Sequence, residues 1–274
     1  MPTIPVAPRT RRPRIRWRRS VTRLTAPMLQ RVREATGWAQ GVADDRGYQH
    51  WAGIHGLPLP ISCTHSTSQQ FASFFLPWHR AYLYFYERAL RDHVPTLGQP
   101  WWDWTRDRQI PPAYADEQAG AGPNPLFSVA INDLAMEQAR SSGLDIASNV
   151  ERYPGLPGTR LPEAWEIESV LAIPDFFTFS RVLENLHGLV HVWVGGRVGH
   201  MRHVPLAAYD PIFWAHHSMI DRVWRIWQQR HPPPNFTAEY VNTALRPFPL
   251  TVAQVLEVRA LGYDYAATQT TVET

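Results

Sequence analysis

The chain has a single cysteine, no long apolar run and no lysine. The single cysteine, Cys63, excludes an intramolecular disulfide. No apolar run reaches the ~18 residues of a membrane-spanning helix, so no membrane partner is expected. Lysine is absent and all 27 basic residues are arginine, a bias that a genome rich in G and C would produce without a chemical cause.

Positive charge is concentrated at the amino terminus, where eight arginines lie within the first 23 residues. Such an arm can bind phosphates nonspecifically, and paired arginines can belong to an export signal. Export also needs an apolar stretch, and none follows the arginines. We therefore favour a solvated, flexible arm over residues 1–17, with no nucleic-acid partner and a cytoplasmic location.

Length and patterning predict one mainly α domain over residues 18–265, followed by a short tail over residues 266–274. The chain has 274 residues, 44% of them hydrophobic, which is enough for one substantial core. Pro- and Gly-rich sequence between about 105 and 162 indicates an ordered surface excursion. Apolar spacing and helix-ending residues predict helices over about 25–37, 48–55, 77–90, 179–194 and 211–229.

Histidines are grouped on four of these helices. His187 and His191 are four residues apart, so both rings lie on one helix face. Buried imidazoles need a hydrogen bond or a metal ion, and packing alone would favour leucine at these positions. The architecture that fits is a mainly α domain around a helix bundle, with metal ligands projecting inward from facing helices.

A second group is the adjacent pair His216 and His217. Adjacent helical residues point about 100° apart, so only one of the two can face an ion well. Asp221 lies four residues after His217, where its carboxylate could accept a hydrogen bond from the imidazole and fix its tautomer. We predict His217 as the ligand and His216 as a packed neighbour.

The third group begins with His79, which follows aromatic sequence at a helix start. Its candidate partners are His55 and His65, because His50 and His93 lie in more polar settings. Histidine spacing alone leaves zinc, iron and copper open. A zinc hydrolase is disfavoured because the chain has no HExxH-like pattern with a carboxylate base.

Longer motifs narrow the choice. They are Phe75–Arg80, Trp102-Asp103-Trp104, His187-x-x-x-His191 through Gly196, Asp210–His217 with Asp221, Glu168–Ile173, and Tyr263-Asp264-Tyr265. These motifs resemble the two copper-binding regions of the tyrosinase and catechol oxidase family, and the resemblance runs from about residue 18 to residue 265. It implies a central four-helix bundle.

The resemblance implies a type 3 dicopper centre with O2 as co-substrate. His55, His65 and His79 would bind the first copper ion; His187, His191 and His217 would bind the second. The segment between His65 and His79 is longer than in many relatives. Cys63 matches the Cys-x-His pattern whose sulfur is joined to the histidine ring in fungal tyrosinases and molluscan haemocyanins, which implies a thioether from Cys63 to His65.

Two further positions bear on substrate range. Glu184 corresponds to a residue that, with an Asn, holds a phenol-deprotonating water in strong monophenol hydroxylases of the family. Here the Asn position is Gly188, which has no side chain to donate. The loop between Gly196 and Asp210 is expected to supply pocket residues, with Met201, Val204 and Ala207 as candidates.

The resemblance implies a copper-dependent polyphenol oxidase. It would oxidise o-diphenols and o-aminophenols, and monophenols more slowly, to quinones while O2 is reduced to water. The alternative is an oxygen-binding protein like haemocyanin, against which we expect no shielding domain after Tyr265. Phenolic molecules are the expected partners, and the sequence neither requires nor excludes a copper-delivery protein.

Overall fold

A computed structural model describes residues 15–59, 63 and 74–266. Helices dominate these residues, which confirms the prediction of a mainly α fold. The α-helices are α1 (Ala26–Gln40), α2 (Tyr48–His55), α3 (Phe75–His93), α4 (Pro112–Ala115), α5 (Asp133–Ser141), α6 (Ala164–Leu171), α7 (Phe176–Gly195), α8 (Pro211–Arg230), α9 (Ala238–Asn242) and α10 (Val252–Val255). Among the described helices, none has both the length and the apolar character needed to cross a membrane.

The remaining regular structure is short. Strand β1 (Arg16–Arg18) pairs in parallel with β4 (Tyr263–Tyr265), so the two ends of the described chain meet. Strands β2 (Gln118–Ala119) and β3 (Gly122–Pro123) form a small antiparallel hairpin. Three 3-10 segments lie at Val21–Arg23, His200–Arg202 and Val204–Tyr209.

Helix α8 is the central helix, and its ends follow from local sequence. The Asp210 carboxylate caps it by accepting a hydrogen bond from the Ile212 backbone N–H at 3.0 Å, and Pro211 occupies the first helical position. Such a cap stabilises a helix by about 1 kcal/mol. Arg152 holds the cap in place with an ion pair to Asp210 at 2.6 Å. The helix stops at His231, before three prolines.

Helix α7 begins earlier than its apolar spacing predicts. Asp175 accepts a hydrogen bond from the Thr178 backbone N–H at 2.8 Å, so the helix starts at Phe176. Helix α3 likewise starts two residues before Pro77, at Phe75. In each case about one extra turn or less is added at the amino-terminal end, which leaves the predicted histidine positions inside their helices.

Helices α3, α7 and α8 contact one another, and α2 packs on the 3-10 segment Val204–Tyr209. Tyr48 of α2 fastens that contact, because its hydroxyl donates to the Tyr209 carbonyl oxygen at 3.0 Å. The four histidine-bearing helices therefore surround one core, as the predicted bundle requires.

The segment between residues 105 and 162 packs on this same core. Its helix α5 buries Ala135, Met136 and Ala139 completely or nearly so. These side chains belong to the hydrophobic cluster that contains the bundle. The segment is thus an ordered extension of the core, with two helices, α4 and α5, that its weak periodicity did not predict.

Candidate metal centre

Helices α7 and α8 bring four histidines together. His187, His191, His216 and His217 are all buried, and one ring nitrogen of each lies within 4.8 Å of the others. The His217 Nε2 atom lies 3.2 Å from His187 Nε2 and 3.3 Å from His191 Nε2. Three imidazole nitrogens therefore converge on one point between the two helices.

The tautomers of His187 and His191 are fixed by backbone carbonyl groups. Their Nδ1 atoms lie 3.2 Å from the Glu184 oxygen and 2.8 Å from the Met201 oxygen, respectively. A carbonyl oxygen only accepts, so each Nδ1 carries the hydrogen and each Nε2 presents a lone pair. Lone pairs that face one another at about 3 Å require a shared proton or a cation.

His217 completes this group in its neutral form. Burial, followed by the neighbouring His79 and the other histidines, lowers the pKa of His217 well below its usual value. A proton on its Nε2 can make a good hydrogen bond to only one neighbour at a time, whereas a metal ion accepts all three lone pairs. The donor set of neutral imidazoles suits a borderline-soft metal such as copper or zinc.

His216 lies in the same group, but its Nδ1 bonds to a side chain and not to a backbone carbonyl group. Its Nδ1 accepts a hydrogen bond from the Trp104 indole N–H at 3.1 Å, and its ring stacks on His187 with centroids 5.1 Å apart. Burial, and then the proximity of His191, lower the pKa of His216 well below its usual value, so the ring is neutral. This arrangement favours His217 over His216 as the ligand.

A second group contains His55, Cys63 and His79, whose ligand atoms also lie within 4.8 Å of one another. His55 Nδ1 donates to the Val204 carbonyl oxygen at 2.9 Å, and His79 Nδ1 donates to the Phe75 oxygen at 2.8 Å. Both histidines therefore present Nε2, as in the first group. The two residues thus have the geometry of ligands to a second ion.

Cys63 lies against this group, with its sulfur 3.4 Å from His79 Nε2. Burial, with a smaller contribution from Glu184, raises the pKa of the Cys63 thiol well above its usual value, so the sulfur is protonated at neutral pH. His65 lies outside the described residues, so the predicted third ligand and the predicted Cys63–His65 thioether both stay predictions.

The two groups face each other across an aromatic boundary. The rings of His79 and His217 stack with centroids 4.4 Å apart. Phe75 lies 4.9 Å from the His187 ring, and Phe213 lies 4.1 Å from His217 and 4.9 Å from His55, between ring centroids. Five of the six predicted ligands are therefore placed in one buried volume between the helices.

The predicted hydrogen bond between Asp221 and His217 is wrong. No described residue bonds His217 Nδ1, and the Asp221 carboxylate is engaged elsewhere. It pairs with Arg80 at 2.5 Å and Arg18 at 3.2 Å, and it accepts from the hydroxyl of Tyr265 at 2.5 Å. Two buried guanidinium groups attract the carboxylate more strongly than a neutral imidazole does. Through Arg18 and Tyr265, Asp221 connects both ends of the described chain to the bundle.

The three predicted pocket side chains differ in exposure. Met201 and Ala207 are fully buried, as the histidines are, and their contact with a substrate stays a prediction. Met201 contributes through its backbone, which orients His191. Val204 is 39% exposed while its carbonyl holds His55, so its side chain lies at the surface next to the centre.

Glu184 and Gly188 flank His187 on helix α7. The Glu184 backbone oxygen orients the His187 ring, and its side chain is largely buried. No atom of the described residues lies within 4 Å of a Cβ placed at Gly188, so this position borders open space. The water-holding role of Glu184 and the effect of Gly188 on activity stay predictions.

Trp104 is a residue of the site that histidine spacing does not reveal. It is 112 positions from His216 in sequence. Its only signal was its place in the motif Trp102-Asp103-Trp104, to which sequence reasoning assigned no role.

A family of known proteins shares the domain that contains these histidines. Residues 45–230 match the family model described as the common central domain of tyrosinase. The match spans more than half of the chain and includes all six predicted ligands, from His55 to His217.

Both tyrosinases and hemocyanins occur among the relatives. The chain is 33% identical over 181 residues to a tyrosinase of Streptomyces lincolnensis, covering 59% of this chain and 65% of that protein. It is 32% identical over 260 residues to the G-type hemocyanin, units Oda to Odg, of Enteroctopus dofleini, covering 86% of this chain. The chain spans 9% of that hemocyanin and 65% of the tyrosinase, which is less than two thirds of either relative.

Solved structures show the same fold. A functional unit of octopus hemocyanin superposes with a TM-score of 0.76 and 26% identity, over 92% of this chain and 68% of that one. Recombinant mushroom tyrosinase superposes with a TM-score of 0.77 over 92% of this chain and 62% of that one. The mushroom enzyme is 22% identical, so its likeness concerns the fold alone.

Proposed function

The chain belongs to the tyrosinase family of type 3 copper proteins, and we propose that it is a polyphenol oxidase acting on o-diphenols. Two copper ions would supply the redox chemistry, carrying electrons from the diphenol to O2. Two o-diphenols each lose two electrons and two protons, and one O2 becomes two waters. No amino-acid nucleophile is needed, because the protein supplies the ligands, their orientation and the substrate site.

The observation that carries the proposal is the convergence of His187, His191 and His217 through Nε2. Three neutral imidazoles with no thiolate or carboxylate among them form a site for a borderline-soft ion with an open coordination position. His55 and His79 present Nε2 from the facing helices in the same way. Two sites this close can act on one O2 molecule together.

The surrounding side chains support the same chemistry. Phe75 and Phe213 line the volume between the two groups and keep water away from the imidazoles. Backbone carbonyl groups hold the Nδ1–H of His55, His79, His187 and His191, so these four ring orientations are set before any metal binds. Low local polarity strengthens the hydrogen bonds that keep the rings in place.

Two positions beside the histidines are candidates for the entry of a ring-shaped substrate. Gly188 follows His187 directly, and the described residues leave open space where its side chain would stand. Val204, on the opposite half-site, is exposed beside His55. A planar phenol could approach between these two positions and meet the paired imidazoles.

A second candidate, an oxygen carrier without turnover, is favoured by one observation, the 32% identity to a hemocyanin over 260 residues. The two functions use the same ligands and differ in whether a diphenol reaches the metal. A single experiment with catechol separates them.

We would load the protein with copper, measure its metal content, and follow quinone absorbance and oxygen uptake with catechol. The proposal expects close to two coppers per chain and two catechols oxidised per O2. The His217→Ala variant is the control for oxidation by free copper. Full copper loading with reversible O2 binding, but no turnover above this control, would establish the carrier instead. One tightly bound zinc per chain would refute both.

A further inference from the structure

Helices α7 and α8 place a fourth histidine, His216, among the three predicted ligands of the second group. A ring nitrogen of His216 lies within 4.8 Å of those of His187, His191 and His217. Its ring is parallel to that of His187, with centroids 5.1 Å apart, and perpendicular to that of His191 at the same distance. A fourth imidazole so close could saturate a metal ion and close its open position.

The hydrogen bond from Trp104 indicates which nitrogen of His216 carries the hydrogen. The Trp104 indole N–H can only donate, and it points at His216 Nδ1 from 3.1 Å. His216 Nδ1 must therefore hold the lone pair, which puts the hydrogen of the neutral ring on Nε2. A nitrogen that carries hydrogen has no lone pair for a metal ion. His187 and His191 are held in the opposite tautomer by carbonyl oxygens.

We propose that Trp104 is a positioning residue that keeps His216 from binding metal and so preserves a three-histidine site with an open position. Both side chains are fully buried, so water cannot substitute for the indole N–H. The inference deepens the proposed function and rests on a metal ion binding at this group.

The neighbouring Trp102 provides a matched control. It is equally buried, and its indole N–H donates to the Asp107 carbonyl oxygen at 3.0 Å. Replacing Trp102 or Trp104 by Phe removes one indole hydrogen bond in either case, a partly buried one at Trp102 and a buried one at Trp104. Only the Trp104 change releases a histidine next to the metal group.

The experiment loads cobalt(II) and zinc(II) into metal-free wild type, Trp102→Phe and Trp104→Phe. With Trp104→Phe, His216 can shift its hydrogen to Nδ1 and offer Nε2 as a fourth ligand. We expect tighter zinc binding and a shifted visible cobalt spectrum relative to wild type, because an imidazole replaces the water at the open position. Trp102→Phe should match wild type in both measurements.

Loss of a residue that merely hydrogen-bonds a metal ligand would have the opposite effect on zinc binding, since it lowers metal affinity by roughly 10- to 100-fold. Weaker zinc binding in Trp104→Phe, or an unchanged cobalt spectrum, would overturn the inference. If wild type itself binds neither ion, the proposed function fails instead, so the two failures are distinguishable.

A rescue variant covers the case in which Trp104→Phe folds poorly. The double variant Trp104→Phe with His216→Leu replaces both partners by apolar groups, a change that is often close to neutral for stability. Removing the imidazole should restore the wild-type cobalt spectrum. The single variant His216→Leu should retain the metal stoichiometry of wild type, and loss of metal with an intact helical circular dichroism spectrum would show that His216 is a ligand.

Discussion

The side chains of Arg80 and Asp221 form a buried ion pair, with Nε 2.5 Å from Oδ1. Arg18 and the hydroxyl groups of Tyr263 and Tyr265 surround the same carboxylate. Burial raises the pKa of Asp221, but the charges of Arg80 and Arg18 and the hydrogen bonds from the two tyrosines together outweigh it, so the pKa lies below its usual value. Arg18 and Tyr265, near the two ends of the described chain, therefore both bond to one carboxylate on helix α8.

We predict that Asp221→Asn lowers the free energy of unfolding by about 3–5 kcal/mol, because two buried guanidinium groups lose their counter-charge. Chemical denaturation measures this loss. The control is Asp44→Asn, which breaks an exposed ion pair with Arg46 and should leave the denaturation midpoint nearly unchanged. Equal effects of the two substitutions would contradict the structural role of Asp221.

The lowered pKa of Asp221 predicts how the stability of the protein changes at acid pH. Because its pKa is lower in the folded than in the unfolded state, its contribution is fully present above about pH 4 and is lost as the pH falls through the folded-state value. The stability of Asp221→Asn should therefore fall less steeply than that of wild type below about pH 4. Denaturation curves collected across that range test the difference in slope, and parallel curves would exclude it.

Removal of a predicted ligand should affect metal content before it affects the fold. We expect His191→Ala to weaken the binding of one copper ion by more than roughly 100-fold, which is more than the loss of a residue that hydrogen-bonds a ligand would cost. Catechol oxidation should be abolished. The helical circular dichroism spectrum should persist, because the core around α7 remains. The exposed His50, replaced by Ala, is the control and should keep two coppers per chain.

Cys63 is predicted to be joined to His65. The intact protein should then be lighter than its sequence mass by two hydrogen atoms, and Cys63 should resist alkylation. The test must follow denaturation, because burial raises the thiol pKa and protects a free Cys63 as well in the native state. A freely alkylated cysteine in copper-loaded, active protein would contradict the crosslink.

Substrate range should depend on Gly188. A monophenol must bind as phenolate, and with a pKa near 10 its ionisation at pH 7 costs roughly 4 kcal/mol. Glu184 is present, but Gly188 has no amide to help hold a water, so we expect clear diphenol oxidation and slow monophenol hydroxylation. Gly188→Asn should raise the monophenol rate more than the diphenol rate.

Open space at Gly188 makes this substitution practicable. Gly122→Asn is a control, because Gly122 also has open space around it and lies in the β2–β3 hairpin. Initial rates on a matched monophenol and catechol measure the effect. Equal wild-type rates, unchanged by Gly188→Asn, would show that the water-holding argument does not apply.

Local sequence was enough to predict the features that depend on near neighbours. The His187–His191 spacing puts both rings on one helix face, and Pro211 and the three prolines after His231 set the limits of α8. The hydrogen bonds that orient His79 and His187 are also local, since their acceptors lie four and three residues earlier on the same helix. Helix geometry alone brings those groups together.

The remaining contacts were decided by the tertiary structure. His191 and His55 are oriented by carbonyl groups of a loop, at Met201 and Val204, which the sequence suggested only as substrate contacts. Asp221 lies one turn from His217, yet it pairs with Arg18, 203 positions away. Helical spacing shows which side chains share a face, but a buried polar group bonds to the strongest partner that folding brings near it. For Asp221 that partner is a guanidinium group, and for His216 it is the indole of Trp104.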